Sequence, residues 1–209
     1  MKIAHHPSDE VLTDYAAGRL GRGPALVVFA HLAACPACCA EAERREAVGG
    51  ALLGSLPAAD LEPGALEGVL ARLDGESPRP SPDRGGVKLS GVLKDVPLGP
   101  RRWLGPGLWM RRISRDRRTS GVTYLLRSGP GRRLPRHSHT GSELVCVIEG
   151  GFTDETGHYG PGDFAQSGAE LLHAPATDPG EACLCLISAE GPMRMRDVIG
   201  RLVQPFVGL

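Results

Sequence analysis

Between residues 8 and 73 apolar side chains recur every three or four positions, whereas beyond residue 100 they come in short blocks cut by Gly and Pro. The first pattern is that of helices and the second that of strands. Segment 8–20 predicts a first helix, with Val11, Leu12, Tyr15 and Ala16 on one face. Ser8 is placed to cap it, Asp9 and Glu10 complement its positive end, and Gly18 offers an exit. Pro24 opens a second helix, whose apolar run Ala25–Phe29 leads to His31 and Cys35. Pro36 forces a break and suits the first position of a third helix, running to about Ala51 with Glu41, Glu43, Arg44, Arg45 and Glu46 outward. A weaker fourth repeat is carried by Leu61, Leu66, Val69, Leu70 and Leu73, with Pro63 near its start.

Residues 75–86 lack any apolar period and alternate Pro with polar residues, which reads as a semi-extended linker. Beyond it, Leu108–Ile113, Val122–Arg127, Leu144–Ile148 and Ala182–Ile187 alternate with turns such as Gly150-Gly151 and Gly160-Pro161-Gly162-Asp163. Short strands so punctuated predict an all-β sandwich or barrel. The expectation is an α+β chain in two domains: a helical bundle over 1–74, a linker over 75–86 and an all-β sandwich or barrel over 87–209.

Composition changes this picture little. Lys plus Arg and Asp plus Glu balance at 24 each, but residues 1–74 hold 6 basic against 10 acidic side chains. The front is therefore acidic and suits a basic partner surface. Aromatics are 4% of the chain, so no platform for stacking bases is evident, and the basic run Arg101, Arg102, Arg111, Arg112, Arg115, Arg117 and Arg118 reads as solvated strand faces. No long apolar run suggests a membrane span. Six cysteines without a secretory leader indicate a reducing, cytoplasmic setting.

Three of those cysteines crowd into residues 35–39, a metal or redox grouping rather than a disulfide framework. In His31-x3-Cys35-x2-Cys38, the first pair lies one helical turn apart and can reach a single ion. Cys38 then falls in the first turn of the next helix, where the dipole favours a thiolate. With an imidazole from His5 or His6, which the spacing does not separate, two thiolates and two neutral imidazoles make a closed tetrahedral zinc site. Structural zinc contributes on the order of 10 kcal/mol to folding a module of this size. Cys39 is poorly placed for a redox bridge, and Cys146, Cys183 and Cys185 read as barrel core.

A second constellation is Arg136-His137-Ser138-His139 followed by Glu143. On a strand His137 and His139 share a face. Thr140-Gly141-Ser142 can turn the chain so that Glu143 reaches back, and His173 on a later strand can close the site. Three imidazoles and a carboxylate suit zinc, manganese, iron or nickel.

His137-x-His139-x3-Glu143-x6-Gly150, then Pro161-Gly162-Asp163 and His173, resembles the two motifs of the cupin superfamily. The resemblance implies an antiparallel β-barrel over 87–209 with a metal held by His137, His139, Glu143 and His173, zinc first among the divalent ions. His6 with His31-x3-Cys35-x2-Cys38, flanked by Ile3-Ala4-His5-His6-Pro7 and Tyr15-Ala16-Ala17-Gly18, resembles the zinc-binding anti-sigma domain, and the family pattern favours His6 over His5. The two together resemble the ChrR-type anti-sigma factors. That implies a cytoplasmic protein whose helical domain sequesters an extracytoplasmic-function sigma factor, using apolar residues of helices one and four, and whose cupin senses singlet oxygen or organic peroxide. No direct nucleic-acid contact is expected, and cupins commonly pair through strand faces, leaving a homodimer open. The competing reading is a dioxygenase-like cupin enzyme with a fused zinc-helical module, for which Glu149 and His158 are the nearest acid–base candidates.

Overall fold

The computed structural model of the chain describes residues 3–73, 89–94, 96–115 and 121–195. The linker expected over 75–86 and the basic residues Arg117 and Arg118 lie outside them. Four helices come first: α1 (Asp9–Ala16), α2 (Arg22–Ala34), α3 (Pro36–Gly54) and α4 (Ala65–Leu73). Ser8 caps α1 by accepting from the Val11 N–H at 3.3 Å. Cys35 separates α2 from α3 in an extended conformation, with Pro36 opening α3.

Eleven strands follow in the described residues: β1 (Arg101–Gly105), β2 (Leu108–Arg115), β3 (Val122–Ser128), β4 (His137–His139), β5 (Glu143–Glu149), β6 (Phe152–Asp154), β7 (Gly157–Tyr159), β8 (Phe164–Ser167), β9 (Ala176–Thr177), β10 (Cys183–Ala189) and β11 (Met193–Met195). They form an antiparallel six-stranded sheet in the order β1-β2-β3-β10-β5-β8, with a β11-β4 pair and a three-stranded β7-β6-β9 sheet. This is a cupin-like fold carrying a helical front half.

The central strands are buried on both faces. Along β5, Leu144, Cys146 and Ile148 join Leu125 of β3 and Leu186 of β10 in one apolar cluster with Val11, Leu12, Val27, Val28, Ala30 and Leu32 of the helices. The alternate residues Val145 and Val147 point the other way, into a second cluster with Tyr124, Phe152, Cys183, Cys185 and Ile187. Period-two alternation thus turns one face of the sheet to the helices and the other to the cupin interior. α2 lies directly on the sheet. At its first turn Gly23 sits so close that a Cβ there would be 2.0 Å from Thr123 Oγ1 and 2.9 Å from Ser188 Oγ.

One expectation needs correcting. Val11 and Leu12 of α1 are buried, so α1 has no apolar face left for a partner. Among the described residues the exposed large apolar side chains, Trp103 apart, lie instead on the second half of α3, on α4 and between them: Val48, Leu52, Leu53, Leu56, Leu61, Leu66, Val69, Leu70 and Leu73.

Candidate metal centres

The helix break at Cys35-Pro36 brings four side chains together. His6, His31, Cys35 and Cys38 each offer one ligand atom, all within 4.8 Å of one another. His6 Nδ1 lies 3.5 Å from Cys35 Sγ and 3.3 Å from Cys38 Sγ. His5 turns away, its ring 4.3 Å from that of Tyr159. His31 is fully buried, and its Nδ1–H donates to the Gly162 carbonyl at 2.7 Å. That bond puts the free lone pair on Nε2, which has no hydrogen-bond partner among the described residues. A buried orphan imidazole nitrogen facing two thiols and a second imidazole fits a tetrahedral zinc ion.

Electrostatics agree with a cation-binding role. Burial lowers the His31 pKa to about 4, against the pull of the Gly162 carbonyl, so the ring is neutral and ready to ligate. Cys38 occupies the first turn of α3 as expected, but the helix dipole does not control it. Burial, reinforced by Cys35, pushes its thiol up to about 12, with Arg45 opposing. A dication is the charge that would reverse this balance.

The second cluster is built by strand pairing. His137 and His173 exchange backbone hydrogen bonds at 3.0 and 3.1 Å, which sets their rings side by side. β4 holds His137 and His139 on one face, and ligand atoms of all three histidines lie within 4.8 Å of one another. His137 Nδ1–H donates to the Pro135 carbonyl at 2.8 Å, and His173 Nδ1–H to Asp154 Oδ2 at 2.9 Å. Both Nε2 atoms are therefore bare in the neutral rings, yet they face each other at 3.1 Å. Neither nitrogen of buried His139 has a hydrogen-bond partner among the described residues. Opposed lone pairs and an orphan ring are the signature of a cation site.

Glu143 stands beside the three without joining their mutual set. Its Oε2 is 3.2 Å from His139 Nε2, a close contact without the alignment of a hydrogen bond. Burial alone would raise its pKa, but His139, His137 and His173 outweigh it and hold the carboxylate ionised. Burial lowers the pKa of His137. It opposes the charged form of His173 too, but the Asp154 carboxylate overrides it and raises that pKa.

Asp154 was not among the residues singled out from the sequence; only its pairing register, opposite Gly157 in the β6-β7 hairpin, brings it to His173. The cluster opens into a mostly apolar cavity lined also by Tyr124, Cys183 and Cys185. Sγ atoms of the two cysteines are 3.5 Å apart. Glu149 is exposed and His158 is tied to Asp178 Oδ2 at 2.7 Å, and neither lines that cavity.

Fold and sites together define a helical metal-binding module seated on a cupin-like sheet. Residues 99–193 match the ChrR Cupin-like domain family, and residues 9–39 match the Putative zinc-finger family. The Anti-sigma-E factor ChrR of Cereibacter sphaeroides is 37% identical over 211 residues, covering 99% of each chain. The crystal structure of Rhodobacter sphaeroides SigE in complex with the anti-sigma ChrR superposes with a TM-score of 0.76 at 35% identity, over 90% of this chain and 100% of that one. The chain belongs to the ChrR family of anti-sigma factors. No helix among the described residues is long and apolar enough to cross a membrane.

Proposed function

We propose that the helical half captures an extracytoplasmic-function sigma factor, with zinc held by His6, His31, Cys35 and Cys38. A second divalent ion is held in the cupin by His137, His139 and His173, with Glu143 at its edge. The protein acts in the cytoplasm, where a stress signal such as singlet oxygen or an organic peroxide, received at the cupin, releases the sigma factor. Zinc supplies a cross-link between the N-terminal segment and the α2-α3 junction, and so fixes the angle at which α3 projects.

The observation that carries the capture is the uncovered apolar face of α3 and α4. Leu66, Val69, Leu70 and Leu73 form an i, i+3, i+4, i+7 stripe on a nine-residue helix with no buried residue. So short a helix is marginal alone in water and calls for a partner along that stripe. Leu52, Leu53 and Leu56, at and beyond the end of α3, are also exposed, so the apolar surface of this half amounts to more than one isolated leucine. Asp60, Glu62 and Glu67 border it with negative charge, complementary to a basic partner.

The test is co-purification of the tagged full chain from its host. The unaltered chain should bring down a sigma factor, and Leu66→Glu with Leu70→Glu should lose it while both metals stay bound. A doubly substituted chain that folds and still retains the sigma factor refutes this surface.

A further inference from the structure

The helical cluster is walled on one side by the cupin. The β7-β8 turn, Gly160-Pro161-Gly162-Asp163, reaches across to the N-terminal segment. Asp163 is 5% exposed, and its carboxylate accepts three backbone N–H groups: Ala4 at 2.7 Å and His5 at 3.0 Å on Oδ1, and Gly160 at 2.8 Å on Oδ2. Phe164 N–H then donates to the His5 carbonyl at 3.1 Å. The N-terminal segment that presents His6 is thus pinned to the cupin through Ala4 and His5.

The neighbouring Gly162 carbonyl orients the His31 ring, and the Phe164 ring packs edge-on against it with centroids 5.7 Å apart. Gly162 has φ +86°, and a Cβ there would meet Ile3 Cδ1 at 2.9 Å and Ala34 Cβ at 3.3 Å. The turn is shaped for this approach. Its other side is bonded to β5, Gly162 N–H to the Val147 carbonyl at 2.8 Å and Val147 N–H to the Asp163 carbonyl at 3.1 Å.

We infer that the Gly160–Phe164 turn of the cupin is the outer shell of the helical metal site, with Asp163 the residue that positions His6 and Gly162 the group that orients His31. The metal site is then shared between the two halves, and its strength is set from the cupin side. By reciprocity, metal bound at the helical site tightens the hold of the N-terminal segment on the turn. The inference rests on the reading of His6, His31, Cys35 and Cys38 as ligands.

The test uses the full metal-free chain titrated with cobalt(II), followed by the thiolate-to-cobalt charge-transfer band. The band is assigned to the helical site by its loss in Cys35→Ser. Asp163→Ala should weaken cobalt binding about 10–100-fold, the effect usual for removal of an outer-shell partner. Asp163→Asn, which keeps one acceptor oxygen and remains nearly isosteric, should fall between and serves as the reporter if the alanine variant does not fold. Leu125→Ala loosens the helix–sheet contact away from the turn and should leave cobalt affinity at the unaltered value.

Unaltered affinity in the Asp163 variants, or an equal loss in Leu125→Ala, overturns the inference. Absence of the band from the unaltered chain overturns instead the reading of the four ligands.

Discussion

Replacing Gly23 by alanine tests whether the two halves share one core. An added Cβ overlaps Thr123 Oγ1 at 2.0 Å and crowds Ser188 Oγ at 2.9 Å and Thr123 Cβ at 3.3 Å. Threonine is stiff at χ1, and turning its hydroxyl aside loses the 3.3 Å contact with Ser188 Oγ while leaving the Cβ in place. Elsewhere in a helix the exchange of Gly for Ala stabilises by about 1 kcal/mol. Here forced overpacking, typically about 1–3 kcal/mol, opposes it, and the first turn of a helix offers less than the full propensity gain. The net expectation is a loss of about 1–2 kcal/mol in urea unfolding.

The assay has two probes: far-ultraviolet circular dichroism weighted to the helices, and fluorescence of Trp103 and Trp109, which lie in β1 and β2. In the unaltered chain the two transitions should coincide. In Gly23→Ala the helical transition should move to lower urea first, and adding Thr123→Ala should recover part of the loss as a measurable coupling. A variant as stable as the parent, or separate transitions already in the parent, refutes the shared core.

Acid should destabilise the metal-free fold through His31. His31 is held near 4 in the metal-free fold against 6.5 when unfolded, so between these values the unfolded chain binds the extra proton. Stability is therefore full above 6.5 and falls as pH drops toward 4, by on the order of 3 kcal/mol in the metal-free chain. A urea midpoint that does not move over that window refutes the assignment. Because the Cys38 thiol sits near 12 without a cation, zinc uptake at neutral pH should release protons, readable by calorimetry in buffers of differing ionisation heat. Uptake without release would exclude thiolate ligation. Finally, Cys146, raised to about 12 by burial and the Asp163 charge, and Cys185, raised by its hydrogen bond with Cys183 and by burial, should resist alkylation in the folded chain while half-buried Cys39 reacts first. Equal labelling rates for Cys146 and Cys39 would contradict that burial.

What the sequence showed and what it hid divide along physical lines. Ligand spacing in His31-x3-Cys35-x2-Cys38 is local, set by one helical turn and a proline, and it survives into the structure unchanged. The His137–His139 pair is equally local, set by strand alternation. His173 reaches His137 only through a long-range backbone pairing, and Asp154 reaches His173 only through a hairpin register; neither leaves a periodic trace. The uninterrupted apolar run Leu144–Ile148 is the pattern of a strand buried on both faces, but the expectation drawn from it was only one short strand, and such a run does not say what covers the second face. The cover proved to be α2. For the same reason helical spacing does not say which apolar face is covered: of helices one and four, both expected to offer exposed apolar residues, α1 turns Val11 and Leu12 into the helical core, whereas the weaker repeat, on α4, is exposed.

That arrangement changes where a signal would travel on the proposed reading. Two domains joined by residues 75–86 would need the linker to carry it. Here β5 holds Glu143 and Val145 against the cupin cavity and Leu144, Cys146 and Ile148 against the helices, while the Val147 backbone bonds the turn that walls the helical cluster. Close-packed strands of this kind transmit displacement rather than absorb it. Swinging a two-state equilibrium from almost all bound to almost all released takes about 5.5 kcal/mol of differential stabilisation. Losing one seam side chain supplies about 2–5 kcal/mol at most. A rotamer change at a single residue in the cavity is therefore too small. Moving β5 and the β7-β8 turn together is large enough, because it breaks the Asp163, Gly162 and Phe164 hydrogen bonds at the same time as it shears Leu144, Cys146 and Ile148 off α2. On the proposed reading the release step would belong to the seam, and chemistry at the cupin would act by making that seam the weaker of two states.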